Sequence, residues 1–155
     1  MEPITTNGKA ITEKKVFSRE TAVSIDIEAD KSILWALLTN ASDYARWNST
    51  VISIEGNIRA KESIVLKAKL DPKRAFKLKV LEFNPDSTLI WGDAMGKRVF
   101  TLKTIGNNLT NFTMREKIGG PIFPLFAKMI PSFDSSFEQF AKDLKNEAEI
   151  ISKTK

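Results

Sequence analysis

The sequence predicts an α+β protein in which a curved antiparallel meander wraps on one long C-terminal helix. Three observations lead there. Strand-like segments succeed one another from residue 51 to 118 with no helical period between them. The last forty residues switch to a helical period with a single apolar stripe. The 155 residues, 42% hydrophobic with seven glycines, match one ordinary domain and leave room for a substantial core. Residues 1–15 read as a polar N-terminal arm and residues 16–155 as that domain.

Thr21, Val23, Ile25 and Ile27 alternate with Ala22, Ser24, Asp26 and Glu28, the period of a half-buried strand. Asp30 then stands as an N-cap before Ile33, Leu34, Trp35, Leu37 and Leu38, whose spacing makes one helical face. A second short helix is predicted from Ser42 to Trp47. Strands are predicted at about 51–56, 62–70, 75–84, 88–93, 97–105 and 109–118, separated by Asp71-Pro72-Lys73, Asn84-Pro85-Asp86 and Gly106-Asn107-Asn108. Phe133, Phe137, Phe140, Leu144, Ala148 and Ile151 form the final helix's stripe. Pro131 removes an amide donor, so that helix either starts after it or kinks there.

There is no cysteine and no histidine. That excludes disulfide frameworks, zinc and iron–sulfur sites of the usual kind, and imidazole-based catalysis. No metal and no cofactor is expected, and any chemistry falls to carboxylates, Lys, Arg, Tyr or hydroxyls. The longest apolar run, Ile33 to Leu38, is far short of the roughly 20 residues that span a bilayer. With no secretory or transit pattern at the N-terminus, a cytoplasmic protein is expected.

The net charge of +5 is concentrated: residues 59–79 carry +6 and the remainder −1. Lys67, Lys69, Lys77 and Lys79 alternate with apolar residues, so two strands share one basic face. Contact with an anionic membrane surface is one reading of that face; a solvated face whose lysines block edge pairing is the other. Nucleic acid is not expected, since no aromatics interleave with the lysines.

A three-residue loop at Gly106 to Asn108 sets the last hairpin so that Leu102 faces Phe112, Phe100 faces Met114 and Arg98 faces Glu116. Carrying the alternation back adds Trp91 and Asp93 to the same face. Asp93, Arg98 and Glu116 then close one end of an apolar surface lined by Trp91, Phe100, Phe112, Met114 and Phe76. Arg98 is the candidate for a ligand carboxylate or phosphate, with Glu116 and Asp93 as weaker candidates for an acid or base. The plain alternative is a cross-strand ion pair. Phe126, Met129 and Phe133 belong either to the core or to a lid over a cavity, while Trp35 and Trp47 are read first as packing.

Leu34-Trp35-Ala36-Leu37-Leu38-Thr39, Tyr44-Ala45-Arg46-Trp47-Asn48 and Ile54-Glu55-Gly56 open a series that continues at Val80-Leu81-Glu82-Phe83-Asn84-Pro85, Leu89-Ile90-Trp91, Thr110 to Thr113, Glu116, Gly119, Phe137-Glu138 and Leu144-Lys145. In order and spacing it resembles the bacterial polyketide cyclase/dehydrase branch of the START-like, birch-pollen-allergen-like superfamily (SRPBCC), over residues 20 to 150. The resemblance implies a helix-grip fold: a seven-stranded curved antiparallel sheet, two short helices, and a long C-terminal helix enclosing an apolar cavity. Such cavities hold lipids, sterols, polyketides or other hydrophobic small molecules. Three positions depart from the pattern, with Ser49 where proline is common, Arg98 where histidine is frequent and Lys61 where glycine is common. The lost histidine weakens any transfer of cyclase chemistry. A binding or transport module is therefore the leading expectation, a cyclase/dehydrase-like enzyme the second, and a co-chaperone-like interaction domain the third.

Overall fold

The computed structural model describes residues 6–154. One curled, open antiparallel sheet holds eight strands in the order β1-β2-β8-β7-β6-β5-β4-β3. They are β1 (Ile11–Lys14), β2 (Ser18–Ile27), β3 (Val51–Glu55), β4 (Ser63–Ala68), β5 (Phe76–Asn84), β6 (Thr88–Gly92), β7 (Gly96–Gly106) and β8 (Leu109–Gly119). Between β2 and β3 lie α1 (Lys31–Thr39), a single 3-10 turn at Ala41–Asp43 and α2 (Tyr44–Trp47). After β8 come α3 (Phe123–Phe126), a second 3-10 turn at Ala127–Met129, and α4 (Asp134–Lys153).

The α+β class and the long C-terminal helix are as predicted, but there are eight strands where seven were expected. The extra one, β1, falls in the segment read as a polar arm, whose residues 1–5 lie outside the described residues. Its sequence, ITEK, has no apolar alternation because it is held by polar contacts. Thr12 bonds Thr21 on β2 at 3.0 Å and Asp134 on α4, while the Ala10 amide donates to Glu138 at 3.0 Å. No helix among the described residues is long and apolar enough to cross a membrane.

Asp30 caps α1 as expected, accepting from the Ser32 amide at 3.0 Å and the Ser32 hydroxyl at 2.6 Å. Pro131 precedes α4, which starts at Asp134, so the helix begins after the proline rather than kinking at it. Its buried stripe is Phe137, Phe140, Ala141, Leu144 and Ala148. Phe140 occupies the middle of an aromatic group, with ring centroids 6.2 Å from Tyr44, 6.0 Å from Trp47, 5.8 Å from Phe100 and 6.2 Å from Phe112. These rings, together with Leu34, Leu38 and Leu89, fill the half of the sheet beneath α1 and α2.

Two of the residues noted above, Ser49 and Lys61, have physical consequences. Ser49 uses the N–H that a proline lacks: its amide and its hydroxyl both donate to Asp143 at 2.7 Å, tying the α2–β3 connection to α4. Lys61 adopts φ 67°, the left-handed conformation that glycine takes freely and that costs another residue about 1 kcal/mol.

At the other end of α4, Glu149 accepts from Lys145 at 2.6 Å and from the Glu28 amide at 2.9 Å. Burial alone raises its pKa, but the Lys145 hydrogen bond and the Glu28 amide outweigh this and hold it below the ordinary 4.5. A depressed carboxylate stabilises the fold above its unfolded pKa and loses that contribution as pH falls through the folded value. Glu149→Gln should therefore cost about 1 kcal/mol or less near neutral pH. Urea midpoints for the two proteins should converge in acid, well below pH 4.5. A difference that grows on acidification would contradict this assignment.

Candidate functional site: an apolar cavity beyond the start of the long helix

The last hairpin has the register read from sequence: Arg98 pairs with Glu116, Phe100 with Met114 and Leu102 with Phe112. β6 adds Trp91 opposite Arg98, and β2 adds Thr21 opposite Glu116. The inner face of the sheet is thus crossed by a row of Thr21, Glu116, Arg98 and Trp91. On one side of this row lies the aromatic core under Phe140. On the other lies a cavity of about 590 Å³, bounded by β4 to β8 and roofed by the segment from Phe126 to Phe133. The cavity sits past the N-terminal end of α4, not under its length.

Of the eleven residues singled out from sequence, eight line this cavity: Phe76, Trp91, Asp93, Arg98, Glu116, Phe126, Met129 and Phe133. Phe100, Phe112 and Met114 do not; they are fully buried in the core behind the row. The remaining wall comes from residues that were not singled out as site residues, chiefly Leu66, Leu70, Leu78, Met95, Ile118 and Ile130. Ile118 carries the same parity as Met114 and Glu116, so the alternation already contained it.

Arg98 donates through Nε to Glu116 Oε1 at 2.7 Å, with both side chains mostly withdrawn from solvent, 16% and 19% exposed. Its guanidinium also lies over the Phe137 ring, 5.0 Å from the centroid. Phe137 stacks on Phe133 at 6.0 Å, and Arg19 covers Phe133 at 5.3 Å. Two cations and two rings therefore make a continuous partition between core and cavity. Arg19 also fixes the roof, donating to the Ile130 carbonyl at 3.3 Å and the Pro131 carbonyl at 2.9 Å. It falls on the apolar parity of β2 with Thr21 and Val23, the one signal by which sequence reasoning could have found it.

Asp93 reaches the cavity but is occupied elsewhere. The alternation carried through β6 stops at Gly92, and Asp93 instead closes the β6–β7 turn, accepting from the Met95 amide at 2.8 Å and the Gly96 amide at 3.0 Å. A Cβ at Gly92 would collide with the Gly96 carbonyl, so this tight turn needs glycine there. Near the β4–β5 connection of the wall, the Arg74 guanidinium lies over Phe76, 4.6 Å from the ring centroid. Tyr44 is buried behind the partition and donates to the Leu38 carbonyl at 2.8 Å; burial raises its pKa, with the nearby charge of Arg98 acting in the opposite direction. Among the described residues no three acidic side chains converge as a metal site would require.

Lys67, Lys77 and Lys79 share the outer face of the sheet, paired with Ser53, Val65 and Ser63 respectively. Lys69 lies in the turn past β4, where its amide bonds the Thr50 carbonyl, and so is outside that strand face.

No family model and no curated protein matches this chain. Solved structures do. A START superfamily protein from Mycobacterium smegmatis superposes with a TM-score of 0.62 at 13% identity, covering 85% of this chain and 98% of that one. A conserved protein of unknown function from Enterococcus faecalis gives 0.68 at 15%, covering 92% and 79%. A protein in the dynemicin biosynthetic locus gives 0.62 at 16%, covering 86% of this chain and 48% of that one. At such identities the likeness speaks to architecture, and the architecture is START-like: a curled antiparallel sheet closed against a long C-terminal helix.

Proposed function

We propose that this protein binds a hydrophobic small molecule of the lipid, sterol or polyketide kind in the cavity beyond the start of α4, as a carrier or sensor. The observation that carries the reading is a cavity of about 590 Å³ with a largely apolar wall whose one ion pair is satisfied within the protein. A volume of this size suits a drug-sized or short lipid-like molecule. Arg98 is already matched by Glu116, and Arg74, the other cation of the lining, is exposed to solvent, so a ligand has no need to bring a charge.

The same hydrogen bonds favour binding over catalysis. An acid or base must be free to exchange a proton with its substrate. Glu116 is committed to Arg98, and Asp93 to two turn amides.

Titration with a fluorescent fatty acid such as cis-parinaric acid is expected to give micromolar affinity, about 8 kcal/mol. Leu78→Trp fills the cavity from a half-buried wall position and should weaken binding by about tenfold or more while leaving the urea midpoint near that of the parent. Absence of binding by the parent protein, or equal binding by the filled variant, would remove the cavity as the site.

A further inference from the structure

The end of the sheet that carries the cavity has a second, smaller pocket, and its lining is basic. About 180 Å³ in volume, it lies between the β1–β2 turn and α3, lined by Lys14, Lys15, Ser18, Arg19, Phe123, Ala127 and Lys128. Among the described residues, four cations surround it and no carboxylate does. Lys15 makes one long contact, 3.8 Å to Glu13, with both side chains well exposed. Arg19 is only 7% exposed and, among the described residues, its Nε has no hydrogen-bond partner, although its two Nη atoms are committed to the roof. A buried guanidinium with an unused donor and, among the described residues, no acid paired with it suits an anion.

Large apolar side chains project around this pocket. Val16 and Phe17 stand at the β1–β2 turn, and Ile122, Leu125 and Met129 on the α3 segment; Leu125 and Met129 are 82% and 80% exposed. The Phe17 carbonyl accepts from the Gly120 amide at 3.0 Å, and the Met95 carbonyl accepts from the Gly119 amide at 2.9 Å. These bonds tie the β1–β2 and β6–β7 turns to the end of β8, just before α3. Isolated exposed apolar residues are ordinary; several on neighbouring loops, interspersed with lysines, mark an interaction surface. Apolar insertion together with basic contacts is the pair of signals that holds a peripheral protein on an anionic bilayer.

We propose that this end of the molecule docks on an anionic phospholipid surface: Lys14, Lys15, Arg19 and Lys128 surround a lipid phosphate while Phe17, Leu125 and Met129 enter the acyl region. Docking in this orientation sets the cavity roof, Phe126 to Phe133, against the membrane. It differs from adsorption through Lys67, Lys77 and Lys79, which project from a sheet face remote from the roof. The proposal does not depend on what the cavity holds.

The test is co-flotation of the full chain with vesicles of phosphatidylcholine alone and of an equal mixture with phosphatidylglycerol. Binding is expected only to the mixture, and weaker by about tenfold when salt rises from low ionic strength to about 0.15 M. Leu125→Ser combined with Met129→Ser, and separately Lys14→Glu with Lys15→Glu and Lys128→Glu, should each lose about tenfold or more. All five positions are exposed, so these variants should fold, and urea midpoints close to that of the parent check that directly. Lys67→Glu with Lys77→Glu and Lys79→Glu should change flotation by less than about twofold, since this face lies outside the docking surface. The proposal is overturned if the sheet-face triple variant is the one that loses binding, or if no vesicle binds. It is also overturned if inorganic phosphate competes with the vesicles and raises the melting temperature, which would make the pocket a site for a soluble anion.

Discussion

Replacing Glu116 by Gln is expected to convert a cavity indifferent to charge into one that selects carboxylates. In the parent protein the Arg98–Glu116 pair is neutral as a unit, so cis-parinaric acid and its methyl ester should bind within about threefold of each other. Gln keeps the shape and one acceptor at position 116 but leaves the Arg98 charge without a counter-ion in a wall that is mostly withdrawn from solvent. A ligand carboxylate then supplies what Glu116 supplied. A hydrogen bond to a charged partner contributes about 1.5–3 kcal/mol, so preference for acid over ester should rise about tenfold to a hundredfold. The unliganded variant should lose a similar 1.5–3 kcal/mol of stability, partly restored by the acid and not by the ester. Two results would contradict this account. Strong acid preference in the parent would mean that Arg98 is available despite Glu116, and no preference in Glu116→Gln would mean that Arg98 does not present its charge to the cavity.

That experiment is possible because the pairing of residues 98 and 116 is legible in the sequence alone. The reading assumed a three-residue loop, whereas Gly106 pairs with Leu109 across Asn107 and Asn108, and the register shifts between Thr104 and Gly106. This irregularity absorbs the difference, so every pair from Thr104 back to Gly96 keeps the inferred register. Alternation also placed Phe100, Phe112 and Met114 on the inner face, but it carries no information on what lies above that face. Phe140 arrives from a distant helix and fills that space, which turns three expected lining residues into core. Asp93 does line the cavity, but period-two alternation ends where a strand turns and says nothing of the turn amides its carboxylate serves. β1 escaped because its contacts to Thr21 and Asp134 are polar, and polar pairing leaves no hydrophobic period to read. The basic pocket was equally silent, being assembled from Lys14, Lys15, Arg19 and Lys128 across more than a hundred residues of chain.

The division of the inner face into a filled half and an open half also makes Phe140 the position where truncation should cost most. It is 1% exposed, and four other rings lie within 6.2 Å of its centroid, from α2, β7 and β8. Phe140→Ala removes the group that joins them, and the rigid strands beneath cannot collapse into the space. Large-to-small changes of this kind cost about 3–5 kcal/mol, a large share of the 5–15 kcal/mol typical of a domain. The urea midpoint should fall accordingly with an unchanged slope, and emission from Trp47, 6.0 Å away, should shift as its surroundings loosen. Ligand uptake offers the more searching comparison. If the partition formed by Arg98, Phe137, Phe133 and Arg19 holds, the new void stays sealed from the cavity and cis-parinaric acid binds the folded variant as it binds the parent. If the partition yields, the two spaces merge and longer or bulkier ligands are admitted. A loss below about 1 kcal/mol would instead show that neighbouring rings close over the gap, and that the aromatic group is not what keeps this half of the sheet filled.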